Sequence, residues 1–127
     1  MENLNDMSYK IIGAAYKVHR NLGPGLLEST YEVCLVFELL KCGFNIENQL
    51  ALPVFYDGIK LDAGYRIDIF VNKCIILELK SVESVLPVHH AQLLTYLRLS
   101  DIRLGLLINF NVSDLKQGIK RIINGSI

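Results

Sequence analysis

Two stretches carry residue types that could do chemistry together. Tyr65-Arg66-Ile67-Asp68-Ile69-Phe70-Val71 is followed at once by Cys74-Ile75-Ile76-Leu77-Glu78-Leu79-Lys80. In a strand alternate side chains share a face, so Glu78 and Lys80 point one way and Ile75, Leu77 and Leu79 the other, while Arg66 and Asp68 share a face. A carboxylate inside an Ile-Ile-Leu-Glu-Leu run is costly unless it meets a cation or a metal. One reading is a divalent-metal site. Mg²⁺ takes oxygen ligands, which two carboxylates and a backbone carbonyl can supply. Such an ion polarises a phosphoryl oxygen and acidifies a bound water. A neighbouring lysine can position that water or offset charge developing in the transition state. On spacing alone, an ordinary cross-strand salt bridge of Glu78 with Lys80 or Arg66 explains the pattern equally well.

Strand register makes the metal reading geometric. A two-residue turn at Asn72-Lys73 would set Asp68 opposite Leu77, on the wrong face from Glu78. A three-residue loop at Asn72-Lys73-Cys74, or a bulge, sets Asp68 opposite Glu78 and Arg66 opposite Lys80. The odd register is the expectation, and opposite faces would exclude a shared metal.

Two further segments bear on the site. Glu28, in Gly25-Leu-Leu-Glu28-Ser-Thr-Tyr31, falls in the first turn of a helix, where an acid also simply stabilises the helix dipole. In His89-His90-Ala-Gln92-Leu-Leu-Thr-Tyr96, spacings of three and four put His89, Gln92 and Tyr96 on one helix face, which could equally be a polar stripe facing water. Adjacent His89 and His90 make poor joint ligands, and His19 reads as an isolated surface residue. No G-x-S-x-G elbow, phosphate-cradling G-x-x-x-x-G-K-S/T loop or H-E-x-x-H helix is present.

The elements that must position these residues follow from periodicity. Ile11, Ile12, Ala15 and Val18 recur at helical spacing over Ser8 to Asn21, and Gly23-Pro24-Gly25 breaks that helix. A second helix fits Leu26 to Lys41, with Leu27, Tyr31, Val33, Cys34, Phe37 and Leu40 as apolar positions and Gly43 as its stop. Strands are expected over Asn48 to Tyr56, Leu61 to Val71 and Cys74 to Ser81, with Asp57-Gly58 as a turn. Pro87 suits the start of a helix to about Leu99. Arg103 to Phe110 reads as a buried strand, and Ser113 as the cap of a last helix through Ile123. The order ααβββαβα implies an α/β fold with a mixed central sheet flanked by helices.

Bulk composition narrows the function classes. With 127 residues the chain is expected to form one domain, residues 1–127, large enough for a core without staples. It is 51% hydrophobic and 20% charged, an ordinary globular profile that argues against disorder. Thirteen basic and thirteen acidic residues cancel, so a strong nonspecific grip on nucleic acid is not encoded in net charge; binding must rest on a local patch, a metal or a partner. Cys34, Cys42 and Cys74 form no C-x-x-C pair and read as free thiols, buried like small hydrophobes, in a reducing compartment. The polar opening Met1 to Lys10 lacks a signal core, and no apolar run approaches the ~20 residues of a membrane span, so a cytoplasmic protein without a membrane partner is expected.

Taken in order, Gly25-Leu-Leu-Glu28-Ser-Thr-Tyr31, Gly64-Tyr65-Arg66-Ile67-Asp68, Ile76-Leu77-Glu78-Leu79-Lys80-Ser81-Val82, His89-x-x-Gln92-x-x-x-Tyr96-Leu97 and Arg103-Leu-Gly-Leu-Leu-Ile-Asn-Phe110 resemble the GxxExxY family over nearly the whole chain. That family is placed in the PD-(D/E)XK nuclease superfamily. The resemblance implies a restriction-endonuclease-like αβββαβ core. It makes Asp68 the first signature acid, Glu78 the second and Lys80 the lysine. Ile67 replaces the proline before Asp68, a departure the superfamily tolerates. Glu28 would be an extra acid touching the metal directly or through water, and Gln92 and Tyr96 would lie near the substrate phosphate.

The resulting expectation is a Mg²⁺- or Mn²⁺-dependent nuclease-like phosphodiester hydrolase. Asp68, Glu78 and the Leu79 carbonyl hold the ion, Lys80 orients water, and Glu28 completes the acidic shell. Arg66, His89, Gln92, Tyr96 and Tyr31 support the site or contact substrate. The partner is DNA or RNA. The rival is a non-catalytic nucleic-acid- or protein-binding module on the same fold, and the apolar content would permit a homodimer.

Overall fold

The computed structural model describes residues 3–127. Met1 and Glu2, the first residues of the polar opening segment, lie outside the described residues. Helix α1 spans Leu4–Leu22. It starts four residues earlier than the apolar spacing alone predicts, because Asn3 caps it: Asn3 Oδ1 accepts the Asp6 N–H at 2.8 Å. Met7, Ile11, Ala15 and Val18 form its buried stripe. Helix α2 spans Glu28–Lys41, and the Gly43 and Phe44 amides return to Leu40 and Leu39 carbonyls to close it. Its core face is Tyr31, Leu35 and Leu39, one turn apart. Val33, Phe37 and Leu40, read from sequence as apolar positions of this helix, are exposed instead. A helix apolar on several sides does not announce which side packs.

The first expected strand breaks at Leu52-Pro53. Strand β1 covers Ile46–Ala51, and β2 covers Val54–Tyr56. Proline donates no ladder bond, and the Leu52 amide bonds the Tyr65 carbonyl at 3.0 Å. Asp57 and Gly58, at φ 53° and 76°, make the expected tight turn into β3, Ile59–Leu61. Strands β4 (Arg66–Val71) and β5 (Ile75–Lys80), helix α3 (Pro87–Ser100) and strand β6 (Leu104–Asn109) complete the core. With a closing strand β7 (Ile119–Ile123), the main sheet runs β1-β4-β5-β6-β7, with β5 and β6 parallel and the other pairs antiparallel; β2 and β3 form a separate ribbon. This is an α/β fold with a mixed five-stranded sheet, consistent with the restriction-endonuclease-like architecture expected.

The closing segment departs from expectation. Ser113 to Ile123 is not a helix: a 3-10 turn at Leu115–Gly118 leads into strand β7, Ile119–Ile123. Asp114, not Ser113, caps that turn, accepting the Lys116 amide at 3.1 Å. Without β7 the all-buried strand β6 would leave its outer ladder unpaired, and the β-branched Ile119, Ile122 and Ile123 suit that edge. Gly118 sits where the chain turns back into β7, since a Cβ there would collide with the Asn109 carbonyl oxygen.

Two cores sandwich the sheet. Helices α1 and α2 pack with Ile75, Leu77, Leu79, Leu106 and Ile108 on one face. Helix α3 packs with Ile76, Leu107 and Ile122 on the other through Leu93 and Leu97. Gly105 lets α3 approach closely, as an added Cβ would lie 3.1 Å from Leu93. Two sequence readings are corrected here. His19 is buried, and its Nε2 lies 2.7 Å from the Val112 carbonyl oxygen. Of the three free cysteines Cys42 is exposed and the others only half-buried. Among the described residues no helix is long and apolar enough to cross a membrane.

Candidate active site

The β4–β5 connection has the odd register. Val71 pairs with Ile75, Phe70 with Ile76 and Ile69 with Leu77 around the three-residue loop Asn72-Lys73-Cys74. Asn72 and Lys73 take left-handed conformations, φ 51° and 53°, and the Cys74 amide closes the loop on the Val71 carbonyl at 2.9 Å. Continuing this register sets Asp68 opposite Glu78. Their backbones do not simply extend the ladder there. The Asp68 amide donates to Glu78 Oε1 at 3.3 Å, and the Leu79 amide donates to Asp68 Oδ2 at 2.8 Å.

The cause lies one strand away. Gln49, in the middle of β1 and opposite Asp68, sits at φ 51°, a conformation costly for a residue with a side chain. Pairing skips it, so Asn48 meets Ile69 and Leu50 meets Ile67 with no bridge between. Across this point the strands exchange faces. Ile46, Ile69 and Val71 pack with α1 and α2, whereas Leu50 and Ile67 pack with the α3 core. The kink leaves the Asp68 amide for the Glu78 carboxylate. It also swings the Gln49 side chain into the site, where Nε2 donates to Glu32 Oε1 at 2.6 Å and reaches Asp68 Oδ1 at 3.5 Å.

Glu32 was not singled out from sequence. It lies one turn beyond Glu28 on α2 and is held by Asn48 Nδ2 at 3.3 Å as well as by Gln49. Its charge reaches Asp68 and raises that group's proton affinity. Glu28 itself stays exposed in the first turn of α2. That turn lies close to the end of β5, because Ser81 Oγ donates to the Leu26 carbonyl at 2.5 Å. The spacing of four between Glu28 and Glu32 was the available signal.

Burial dominates the electrostatics. Glu78 is only 5% exposed. Desolvation first, and the Asp68 charge second, push its carboxyl up to about 8. Asp68 is also raised, by desolvation and then by Glu32, against the opposing pull of the Leu79 amide and the Lys80 charge. The two carboxyls are tied to each other's strands by the crossed amide bonds, and the charge of Asp68 adds to the burial that raises Glu78. Two buried carboxyls side by side favour carrying a single negative charge between them. Among the described residues no ion pair joins Glu78 to Lys80 or Arg66, so the salt-bridge explanation of the pattern falls away.

The remaining sequence-named residues divide into two groups. Gln92 and Tyr96 do share a face: Gln92 Nε2 donates to the Tyr96 hydroxyl at 3.0 Å. With His89, Thr95 and Tyr65 they line a cleft of about 370 Å³. Tyr96 feels both acids, since burial and then the Glu78 charge raise its hydroxyl's proton affinity. His89 also caps α3, its Nδ1 accepting the Leu86 amide at 3.0 Å. Arg66 turns away, to the Tyr65 carbonyl at 2.9 Å and Asp62 at 3.7 Å. Tyr31 lies in the core, stacked on Phe110 with ring centroids 4.5 Å apart. Its hydroxyl donates to the Gly23 carbonyl at 2.6 Å and accepts the Leu26 amide at 3.2 Å. Tyr31 thus holds the loop that delivers α2 to the site. Tyr31→Phe is expected to cost about 1–2 kcal/mol in urea denaturation, because it strands two backbone groups; an unchanged midpoint would remove this role.

The donor set suits a hard cation. Among the described residues no three His, Cys, Asp or Glu side chains gather into a metal-holding group. Two carboxylates supplemented by main-chain carbonyl and water are what Mg²⁺ or Mn²⁺ accepts and what a structural zinc site does not. The Leu79 amide bonds Asp68, and in an extended strand the carbonyl of the same residue projects from the same edge. No curated protein and no solved structure shows a significant match to the chain. A family model described as the PD-(D/E)XK nuclease superfamily matches residues 5–122. With that match spanning almost its full length, and with this sheet and acid pair, the chain belongs to the PD-(D/E)XK nuclease superfamily.

Proposed function

We propose that this chain is a divalent-metal-dependent nuclease of the GxxExxY type that hydrolyses phosphodiester bonds in nucleic acid. The observation that carries the reading is the desolvated Asp68–Glu78 pair, held by crossed amide bonds across a kinked register. Nucleases of this superfamily generally use divalent metal ions, and their substrate is nucleic acid. Asp68 and Glu78, with the Leu79 carbonyl, would hold Mg²⁺ or Mn²⁺. When bound, the ion supplies Lewis-acid polarisation of the phosphoryl group and a more acidic water. Lys80, two residues along the same strand face as Glu78, orients the attacking water and offsets charge developing on the phosphoryl oxygens. The Tyr96 hydroxyl, within reach of the charges of both acids, bounds the space where the scissile phosphate would lie.

The test is metal-dependent cleavage of single- and double-stranded DNA and RNA by wild type, Glu78→Ala and Lys80→Ala. Cleavage by wild type alone is the expected result, and equal activity in all three refutes the assignment. A purely binding module on this fold would instead give no carboxylate-dependent heat on titration with Mn²⁺.

The third acid can be assigned separately. The Glu32 charge reaches Asp68 through space and through Gln49, whereas Glu28 has no bond to the pair. Glu32→Gln is therefore expected to weaken Mn²⁺ binding by roughly three- to tenfold, the scale of one partly exposed charge acting on a divalent ion through a water-like dielectric over several ångströms. Glu28→Gln should leave it nearly unchanged. Isothermal calorimetry on both variants decides, and the reverse ranking returns the role to Glu28.

A further inference from the structure

We infer that the cleft between Tyr65 and α3 is a nucleobase site, and that the substrate is taken as an unpaired strand with one base stacked on Tyr65. This rests on the nuclease reading above and names its substrate class. Four observations support it. Tyr65 is 38% exposed, while Tyr96, its tilted neighbour at 5.6 Å, is only 4% exposed. One ring is thus a fixed support and the other an open aromatic surface. Tyr65 is also rigidly presented. The Leu52 amide holds its carbonyl at 3.0 Å, and Asp62 Oδ1 accepts the Gly64 amide at 3.0 Å to lock the preceding turn. At the cleft wall Gln92 commits one amide hydrogen to Tyr96 and lines the same space, so a base edge would meet an amide there. The Tyr96 hydroxyl in turn senses Glu78 and Asp68, which places this wall beside the acid pair.

Charge argues in the same direction. No lysine or arginine lines the cleft, and Arg66 beside it is engaged by Asp62. The whole chain carries no net charge. Gripping a duplex needs many phosphate contacts from basic side chains, which the lining of this cleft does not offer. Stacking is the alternative source of affinity, worth about 1–3 kcal/mol per base and indifferent to sequence. A base inside a duplex presents no free face to Tyr65, so the site selects single strands, frayed ends or extruded bases.

The experiment is fluorescence anisotropy in EDTA with a labelled 12-nucleotide single strand, the blunt duplex of the same sequence, and the same strand carrying abasic sites; DNA and RNA versions are run in parallel. The single strand is expected to bind at least tenfold tighter than the duplex, with abasic substitution removing most of that preference. Tyr65→Ala should lose roughly five- to hundredfold in single-strand affinity, and Tyr65→Phe should keep it. Equal or tighter duplex binding, or indifference to abasic sites, overturns the inference without reliance on any variant's folding. Cleavage with metal that favours duplex leaves the nuclease reading standing and sinks this one. Tyr65-dependent single-strand binding without any cleavage does the opposite.

Discussion

Glu78→Gln is expected to abolish metal-dependent cleavage, with kcat/KM falling by at least ~10³-fold, while Lys80→Ala lowers kcat by about 10²- to 10³-fold and leaves metal affinity nearly intact. The two losses have different causes. Glutamine fills the space of Glu78 and can still accept the Asp68 amide bond, but it brings no charge, so the pair loses half of its capacity to neutralise a divalent ion. Metal binding and turnover should then fall together. On the proposed reading Lys80 acts where negative charge develops, and removing one such preorganised donor from an enzyme site typically costs about 10²- to 10³-fold in kcat. A Lys80→Ala variant whose KM rises at constant kcat would show instead that the lysine binds substrate and transition state alike. Mn²⁺ calorimetry beside steady-state kinetics separates the two residues.

The metal-free protein should lose stability as pH rises from about 5 to 8, and the Glu78→Gln variant should lose distinctly less. In the unfolded chain a glutamate releases its proton near 4.5; in the fold Glu78 holds it up to about 8. Between these values the native state binds more protons than the unfolded state, so raising pH favours unfolding. The stabilisation of the protonated form is fully present below 4.5 and is lost through the folded-state value near 8. Each pH unit in the window is worth about 1.4 kcal/mol for one linked proton, so pH 7 lies on the order of 3 kcal/mol below the acidic plateau. For a domain of this size that is roughly 10 °C in Tm. Asp68, also raised, acts in the same direction. Asp62 is lowered by the Gly64 amide and then by Arg66, and Glu38, despite its partial burial, by Lys41 and Lys17, so their contributions fade only as pH falls below the ordinary carboxylate range. The wild-type minus Glu78→Gln difference therefore isolates the site. Mn²⁺ at pH 8 should restore wild type and leave the variant unmoved. A flat difference between pH 5 and 8 would mean that Glu78 is ionised in the folded apo protein.

That Asp68 faces Glu78 is legible in the sequence because the constraints on it are local. Strand alternation and the length of Asn72-Lys73-Cys74 together determine whether Asp68 faces Glu78, and the observed pairing of Val71 with Ile75 is that register. The helices, the Asp57-Gly58 turn and the mixed sheet followed from patterns of the same short range. What escaped depends on contacts between elements distant in sequence. Glu32 matters because β1 brings Asn48 and Gln49 to it, and nothing near Glu32 in the chain says so. The buried side of α2 was ambiguous because Val33, Phe37 and Leu40 are as apolar as Leu35 and Leu39; the sheet, not the helix, chose. The last segment was misread as helix since Ile119 to Ile123 is too short for periodicity to decide, and the open edge of β6 decided it. Tyr31 fell within a motif suggestive of chemistry, but its hydroxyl serves the loop before α2.

The kink at Gln49 also bears on solubility. β1 is a terminal strand of the main sheet, so one of its sides has no neighbour in the fold. A straight terminal strand is a template on which a second molecule can add, the first step toward a fibril. A left-handed residue at its midpoint interrupts the even row of amides and carbonyls such an addition needs. At the opposite margin β7 is guarded differently, by exposed Lys120 and Arg121. One backbone irregularity thus has two consequences: it opens the sheet where Asp68 departs from regular pairing, and it breaks the even row of groups on which a second chain could add.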